Sequence, residues 1–201
     1  VENRHRQSVV GLKEKNFIVT ENKAPVKDLK FLGASYANEK ADITILVDRS
    51  LESKQYFQHI ESAIQEIALS MNGQGTLRLV SVGEIPVLEY EGSPQNLEKF
   101  SINSLRNPLS SSCQLDVAIR LAANGLINGE KKRGIIYTGT GNAGSHSFSK
   151  YGLTDIAAYL NNNSIIFSSV LVNESSPSKE ISFIFSHTNG KQYYVYRTSG
   201  L

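Results

Sequence analysis

The sequence has one cysteine, no tryptophan and five prolines in 201 residues. A single cysteine, Cys113, excludes an internal disulfide and a zinc site built from several cysteines. The formal net charge of +2 gives no general attraction to nucleic acid or to a membrane surface. No apolar run approaches the ~20 residues that cross a bilayer. We therefore expect no nucleic-acid partner and no direct membrane insertion.

The composition indicates one globular domain with a small appendage. Hydrophobic residues make up 40% of the sequence and charged residues 20%, which is ordinary for a soluble globular protein. The chain opens on Val1-Glu2-Asn3-Arg4, without the pattern of a signal peptide. This start predicts a mature or trimmed fragment of a longer protein.

The first 33 residues carry a hairpin pattern. Turn-forming residues 21–25 separate an apolar segment at 17–20 from an alternating segment at 26–32, which predicts a β-hairpin. An isolated two-stranded hairpin is marginally stable in water. We therefore expect residues 1–33 to pack on the main domain, which residues 34–201 form.

From residue 42 onward, strand and helix patterns alternate. Strands are predicted at residues 43–47, 76–82, 85–90, 134–138, 165–172 and 192–197. Helices are predicted at residues 54–72, 94–100, 114–128, 154–161 and 181–186, although the last also alternates like a strand. Ser93 is the expected helix cap before Pro94, and Asp116 and Arg120 are an expected i,i+4 ion pair. The alternation predicts an α/β fold, with a mostly parallel central sheet and helices on both faces.

Residues 41–53 are the most informative stretch of the chain. A run of strand-forming residues ends at the acid Asp48, and Ser50 and Ser53 follow within five residues. Open parallel sheets bind ligands at the carboxyl ends of their strands. This strand tip is therefore the candidate binding site.

The layout resembles a von Willebrand factor type A domain, whose first loop reads Asp-x-Ser-x-Ser and begins a Mg²⁺ site. Here the loop reads Asp48-x-Ser50-x-Glu52, so an acid replaces the last serine. The element order from about residue 42 to residue 201 is similar, and the lead segment resembles that of bacterial domains related to this family. The residues that carry the lead-segment resemblance are Gly11, Leu12, Phe17, Val19, Glu21 and Val26. The resemblance covers nearly the whole chain and implies a Rossmann-like α/β fold.

The resemblance implies a metal site made of three loops, which this chain fills incompletely. Ser112 stands at the position of the threonine in the second loop, and Gly139 or Thr140 at that of the aspartate in the third. The ligands still present would be Asp48, Ser50 and Ser112, with Glu52 and Ser53 as substitutes. Mg²⁺ requires near-octahedral hard oxygen ligands. We therefore expect a degenerate metal-ion-dependent adhesion site without a cofactor, with Mg²⁺ or another divalent cation as the alternative.

Three other interpretations concern the same loops. Without metal, Asp48 would cap the following turn and Ser112 the following helix. The loop of residues 139–144 matches the dinucleotide pattern Gly-x-Gly-x-x-Gly, but the next helix begins too late to face a phosphate, so a mobile loop is favoured. Cys113 as a nucleophile would need His146 as its base, and a buried, inert thiol is favoured instead.

The resemblance implies binding and not catalysis. We predict a non-catalytic protein-interaction domain, adhesive or scaffolding, of an exported bacterial protein, periplasmic or at the cell surface. The alternatives are a nucleotide-dependent enzyme that uses the loop of residues 139–144 and a purely structural spacer. The residues expected to contact a protein partner are Ser110, Ser111, Cys113, Thr140, Asn142 and His146.

Overall fold

The computed structural model describes residues 14–27, 40–129, 132–144, 146–173 and 175–195. The chain divides into two compact units, Val1–Ala37 and Asn38–Leu201. In the first unit, strands β1 (Thr20–Glu21) and β2 (Ala24–Pro25) form an antiparallel hairpin. Positive φ angles of 51° and 69° at the two residues between them give a tight two-residue turn.

The predicted hairpin is confirmed, but its turn is shorter than the predicted turn at 21–25 because residues 24–25 pair with residues 20–21. Residues 28–32 of the predicted second strand lie outside the described residues. The packing of the hairpin on the main domain stays a prediction.

The second unit contains a six-stranded sheet in the order β5-β4-β3-β6-β7-β8. Its strands are β3 (Ala41–Asp48), β4 (Thr76–Val82), β5 (Val87–Gly92), β6 (Lys132–Gly139), β7 (Ile165–Leu171) and β8 (Gln192–Tyr194). β5 pairs antiparallel with β4, and the other neighbouring strands pair in parallel. This sheet confirms the predicted fold class, including the antiparallel pair and the final strand at an edge.

Helices cover both faces of this sheet. They are α1 (Phe57–Ser70), α2 (Leu115–Leu126), α3 (Leu153–Asn162) and α4 (Lys179–His187). Because side chains alternate along a strand, β3 sends Ile45 and Val47 into the core beneath α1. It sends Leu46 into the opposite core, with Ile119 of α2 and Phe167 of β7. Among the described residues, none of the helices combines the length and apolar character needed to cross a bilayer.

Three helix predictions change or gain detail. The helix predicted at residues 54–72 is a 3₁₀ helix, Leu51–Tyr56, followed by α1. The helix predicted at residues 94–100 is a 3₁₀ helix, Pro94–Leu97, and the Ser93 side chain makes no capping hydrogen bond. The ambiguous segment at 181–186 is helical, as predicted, because the Ser178 hydroxyl accepts the N–H of Ile181 and starts α4.

The topology gathers four strand ends at one edge of the sheet. β3 lies between β4 and β6, with Asp48 in register with Val82 of β4. β6 ends at Gly139, in register with Leu171 of β7. The segments that follow β3, β4 and β6 therefore lie side by side at Asp48.

Candidate functional site

Asp48 lies at the centre of the strand ends, 3% exposed, with its carboxylate bound by the protein itself. Oδ1 accepts the backbone N–H of Ser50 at 2.8 Å. Oδ2 accepts the hydroxyl of Tyr137 at 3.0 Å, and both the N–H of Thr140 at 3.1 Å and its hydroxyl at 3.0 Å. A carboxylate has about four lone-pair sites. Three of the four donors thus crowd Oδ2, and Oδ1 accepts one.

Tyr137 is the donor that the sequence did not point to. It comes from β6, and its hydroxyl is buried between Oδ2 of Asp48 and the N–H of Gly141. Burial and then the charge of Asp48 raise the pKa of the Tyr137 phenol well above its ordinary value of 10.0. The phenol therefore stays protonated and donates a hydrogen bond to the carboxylate.

Gly139, the last residue of β6, permits this contact. A Cβ atom at residue 139 would lie 2.2 Å from Cβ of Asp48 and 2.6 Å from its Oδ2. Both distances are far below van der Waals contact, so β6 approaches Asp48 this closely only because residue 139 has no side chain. The same approach brings Tyr137 and Thr140 within hydrogen-bonding distance of the carboxylate.

The first loop, residues 48–53, is closed by its own hydroxyls. Ser50 Oγ accepts the N–H of Ser53 at 3.2 Å and caps the 3₁₀ helix that follows. The buried Ser53 hydroxyl lies 2.7 Å from the carbonyl oxygen of Ser50 and 3.0 Å from that of Asp48. Asp48 thus caps the turn as expected, through Oδ1, and both serine side chains serve the loop.

The second loop, residues 110–113, adjoins the first through a parallel bridge between Ser50 and Ser110. The N–H of Leu51 donates to the carbonyl oxygen of Ser110 at 3.0 Å. Ser110 Oγ in turn accepts the N–H of Ser112 at 3.1 Å. The predicted residues of the first two loops therefore lie on adjoining loops. Ser112 does not cap α2, whose N-cap is Gln114 without a side-chain hydrogen bond, so that interpretation is wrong.

The third loop, residues 140–144, contacts the first loop from the other side. Nδ2 of Asn142 donates to Glu52 Oε2 at 3.0 Å. The N–H of Gly141 donates to the Tyr137 hydroxyl, and the N–H of Asn142 to the Thr140 hydroxyl, each at 3.3 Å. These backbone donors, which a phosphate would need, are engaged inside the protein, and α3 begins well past the third glycine.

Arg49 and Asn107 connect the first loop to the β4–β5 turn. Nε of Arg49 donates to the carbonyl oxygen of Asn107 at 3.0 Å, and the guanidinium lies 5.1 Å from the centroid of the Phe57 ring. Burial lowers the pKa of Arg49, against the opposing effect of nearby acids. Asn107 Nδ2 donates to the carbonyl oxygen of Ile85 at 2.9 Å. Asn107, which precedes the second loop, thereby joins Arg49 of the first loop to the β4–β5 turn.

Glu89, on β5, completes this support. It accepts the Ser81 hydroxyl at 2.7 Å, the Asn107 N–H at 3.0 Å, and both the N–H and Nε of Arg106 at 3.2 and 3.1 Å. Burial raises the pKa of Glu89, but these hydrogen bonds outweigh it, so the net pKa is lowered. A lowered carboxyl pKa means that Glu89 stabilises the fold at neutral pH and that this contribution is lost on acidification.

Asp116, the second residue of α2, anchors the chain segment that returns from the third loop. Its Oδ2 accepts the N–H of Lys150 at 2.7 Å and that of Tyr151 at 2.9 Å, and its own N–H donates to the Ser147 carbonyl oxygen at 2.9 Å. The predicted pair with Arg120 is wrong. The Arg120 guanidinium instead lies 3.5 Å from the centroid of an aromatic ring of α3. Asp116 therefore has a tertiary role.

Cys113 is the last residue of the second loop, just before α2, and is partly buried against the core. Burial and then the charge of Asp48 raise the pKa of its thiol from the ordinary 9.0 to about 12. The thiol therefore stays protonated at neutral pH, whereas a nucleophilic cysteine needs a lowered pKa.

We expect native Cys113 to react slowly with iodoacetamide. Only the thiolate reacts, and near pH 8 a pKa of about 12 leaves about 1,000-fold less thiolate than a pKa of 9.0. Alkylation followed by intact mass should be at least about 100-fold slower in native protein than in urea. Because the pKa is raised, the native rate should keep climbing with pH after the unfolded rate has levelled off. Equal rates for the two states near neutral pH would contradict the raised pKa.

The donor set does not fit the divalent cation that the resemblance implies. Both oxygens of Asp48 accept protein donors, and the residue at the acidic position of the third loop is Thr140, which donates to Asp48. Ser50 Oγ caps a helix. In the described part of the chain, no group of three or more His, Cys, Asp or Glu residues could hold a metal ion.

The residues predicted to contact a partner differ in exposure. Ser111, Asn142 and His146 are exposed, whereas Ser110 and Cys113 are partly buried. Thr140 is 3% exposed and its side chain faces Asp48, so its assignment as a contact residue is corrected. Two exposed apolar side chains were not predicted, Leu51 on the first loop and Ile85 in the β4–β5 turn, because apolar residues in loops carry no pattern of their own.

No family model matches this sequence, and no curated protein matches it. Solved structures do. Proximal thread matrix protein 1 from the mussel byssus superposes with a TM-score of 0.64 at 12% identity, covering 81% of this chain and 44% of the byssus protein. This chain thus spans less than half the length of that relative.

Two shorter structures are covered almost completely. The SpRpn10 VWA domain gives a TM-score of 0.59 at 13% identity, over 78% of this chain and 87% of its own. An aerotolerance-related membrane protein from Bacteroides fragilis gives a TM-score of 0.55 at 13% identity, covering 77% of this chain and 90% of that protein's chain. Likenesses at these identities show the fold and nothing finer.

Proposed function

Because this chain has a von Willebrand factor A-type fold, we propose that it is a non-catalytic protein-interaction domain, adhesive or scaffolding. The binding surface is the set of loops at the strand ends, and the metal site of the family is degenerate in it. The observation that carries the proposal is that these loops are fixed to one another by buried hydrogen bonds and yet present exposed apolar side chains.

Leu51 and Ile85 are the apolar side chains in question, 58% and 72% exposed. Leu51 follows the Ser50–Ser110 bridge, and the carbonyl of Ile85 is held by Asn107. Apolar side chains on a rigid support bind a partner with little loss of conformational entropy. Exposed polar groups beside them, such as Ser111 and Asn142, supply hydrogen bonds for specificity.

The alternatives find less support. A protonated thiol at Cys113 does not favour nucleophilic catalysis, and the engaged amides after Gly139 do not favour phosphate binding. A purely structural spacer gives no reason for exposed apolar side chains on fixed loops. We also propose an exported, bacterial setting, supported by the lead segment and by the fold shared with the Bacteroides fragilis membrane protein.

A cross-linking experiment tests the binding surface. p-Benzoylphenylalanine is placed at Leu51 and, in a second variant, at Leu69, a leucine 52% exposed near the end of α1. α1 runs away from the strand ends, so Leu69 is a matched control at the opposite end of the domain. We expect one protein from the source organism to cross-link through residue 51 and not through residue 69.

The captured protein, once purified, provides the quantitative test. Leu51→Asp should weaken its binding at least about tenfold, because a charge is buried in an apolar contact. Leu69→Asp should leave the affinity unchanged. Cross-links from both positions, or from neither, would reject the loop surface. Saturable binding of NAD or ATP that Gly144→Val abolishes would favour the nucleotide-dependent enzyme instead. The fold should tolerate this substitution, because a Cβ at residue 144 meets only the Ser147 hydroxyl, at 3.9 Å.

A further inference from the structure

We propose that the strand tip is a cation-independent latch, in which Tyr137 and Thr140 give Asp48 the contacts that a divalent cation gives it in the resembled family. Both are positioning residues that hold the three loops in one arrangement without metal. The inference rests on the geometry of the tip and stands whether or not the loops bind a protein.

The buried carboxylate of Asp48 is compensated by hydrogen bonds from the protein. A buried carboxylate is costly unless hydrogen bonds compensate it. Here two hydroxyl and two amide donors surround it, from Tyr137, Thr140 and Ser50, at 2.8 to 3.1 Å. Three of these donors bind Oδ2, so a cation at Oδ2 would have to displace at least one of them, and the displaced group would be left buried without a partner.

The donors themselves are connected. The Tyr137 hydroxyl also accepts the N–H of Gly141, and the Thr140 hydroxyl accepts the N–H of Asn142, each at 3.3 Å. Each hydroxyl thus joins Asp48 of the first loop to the backbone of the third. A metal ion joins loops in a similar way, because each loop supplies an oxygen ligand to the same ion.

The positions next to Asp48 have no room for a third-loop acid at residue 139 and would repel one at residue 140. Gly139 lies against Asp48 so closely that no side chain fits there, so an acid at residue 139 is excluded. Residue 140 is the remaining position for the family's third-loop acid, and its side chain faces Oδ2 of Asp48. Thr140→Asp would set two carboxylates against each other, which is unfavourable until a cation neutralises them.

These steps predict opposite responses to metal in two proteins. The melting temperature of the unmodified chain should be the same in EDTA and in millimolar Mg²⁺ or Mn²⁺. Thr140→Asp should melt lower than the unmodified chain in EDTA, and should gain about 5–10 °C when free Mg²⁺ exceeds its Kd about 100-fold. Thr154→Asp, at an exposed threonine of α3, is the matched control and should not respond.

Tyr137→Phe supplies a second readout if Thr140→Asp fails to fold. It removes one hydroxyl, so amide hydrogen exchange at Thr140 and Gly141 should accelerate at least about tenfold, while exchange in α4 stays unchanged. Tyr151→Phe, at an exposed tyrosine, should leave all of these amides unaffected.

Two results would overturn the latch. One is a rise in the melting temperature of the unmodified chain with Mg²⁺ that Asp48→Asn abolishes, since the carboxylate would then accept a cation. The other is unchanged exchange at Thr140 and Gly141 in Tyr137→Phe, since the phenol would then not hold the third loop.

Discussion

Gly139→Ala is expected to lower the free energy of unfolding by about 3–4 kcal/mol, although it adds a single methyl group. The new Cβ would lie 2.2 Å from Cβ of Asp48 and 2.8 Å from the Tyr137 hydroxyl. Either β6 or Asp48 must move, and the hydrogen bonds of the carboxylate are then stretched or lost. At about 2–4 °C per kcal/mol for a domain of this size, thermal unfolding should shift down by roughly 6–16 °C.

Gly134→Ala is the matched control, because Gly134 lies on the same strand. A Cβ at residue 134 meets only the carbonyl oxygen of Ile166, at 3.8 Å, an ordinary contact. Both glycines have negative or extended φ angles, so backbone strain does not distinguish them. Chemical denaturation of both variants measures the difference. Equal stabilities would mean that the tip tolerates a side chain and that the close approach is unimportant.

The elements of the fold follow from local patterns, and the sequence predicts them well. Continuous runs of strand-forming residues predict β3 and β7, and apolar residues at helical spacing predict α2. These patterns are local because each reports which face of one element is buried. The order of elements then restricts the sheet to a few topologies, since crossovers between parallel strands share one hand.

The candidate site depends on contacts between distant parts of the chain, which explains what the sequence left out. Strand alternation puts Tyr137 and Ile135 on one face of β6, but only the register of β6 against β3 brings the phenol to Asp48, 89 residues away. Likewise, Arg49 meets Asn107 across 58 residues through a backbone carbonyl, which any residue type could provide. No local pattern records such partners.

Asp116 shows how a local rule loses to a tertiary contact. Its spacing from Arg120 fits an i,i+4 ion pair worth a few tenths of a kcal/mol at a helix surface, ~0.2–0.5. Burial reverses the preference, because a fully buried carboxylate requires donors and the N–H groups of Lys150 and Tyr151 lie within 3 Å. Whether Asp116 pairs with Arg120 or with distant N–H groups depends on how deeply residue 116 is buried. The sequence of α2 alone does not determine that burial.

Asp116→Ala should therefore cost about 3 kcal/mol and act on the segment that returns from the third loop. The N–H groups of Lys150 and Tyr151 lose their acceptor, as does that of Val117 within α2, at about 1–3 kcal/mol for each one left unpaired away from water. Hydrogen exchange should accelerate most at Lys150 and Tyr151, because water is the replacement acceptor. Asp116→Asn keeps one acceptor oxygen, so its stability should lie between that of the unmodified chain and that of Asp116→Ala.

Asp155→Ala is the control for charge, since Asp155 is an exposed acid in the first turn of α3 and loses only a favourable dipole interaction of about 0.3–1 kcal/mol. If Asp116→Ala and Asp155→Ala were equally stable, the carboxylate of Asp116 would be a spectator. A large loss of stability with unchanged exchange at Lys150 and Tyr151 would instead place its effect inside α2. Only the combination of lost stability and faster local exchange supports Asp116 as the anchor of the segment that returns from the third loop.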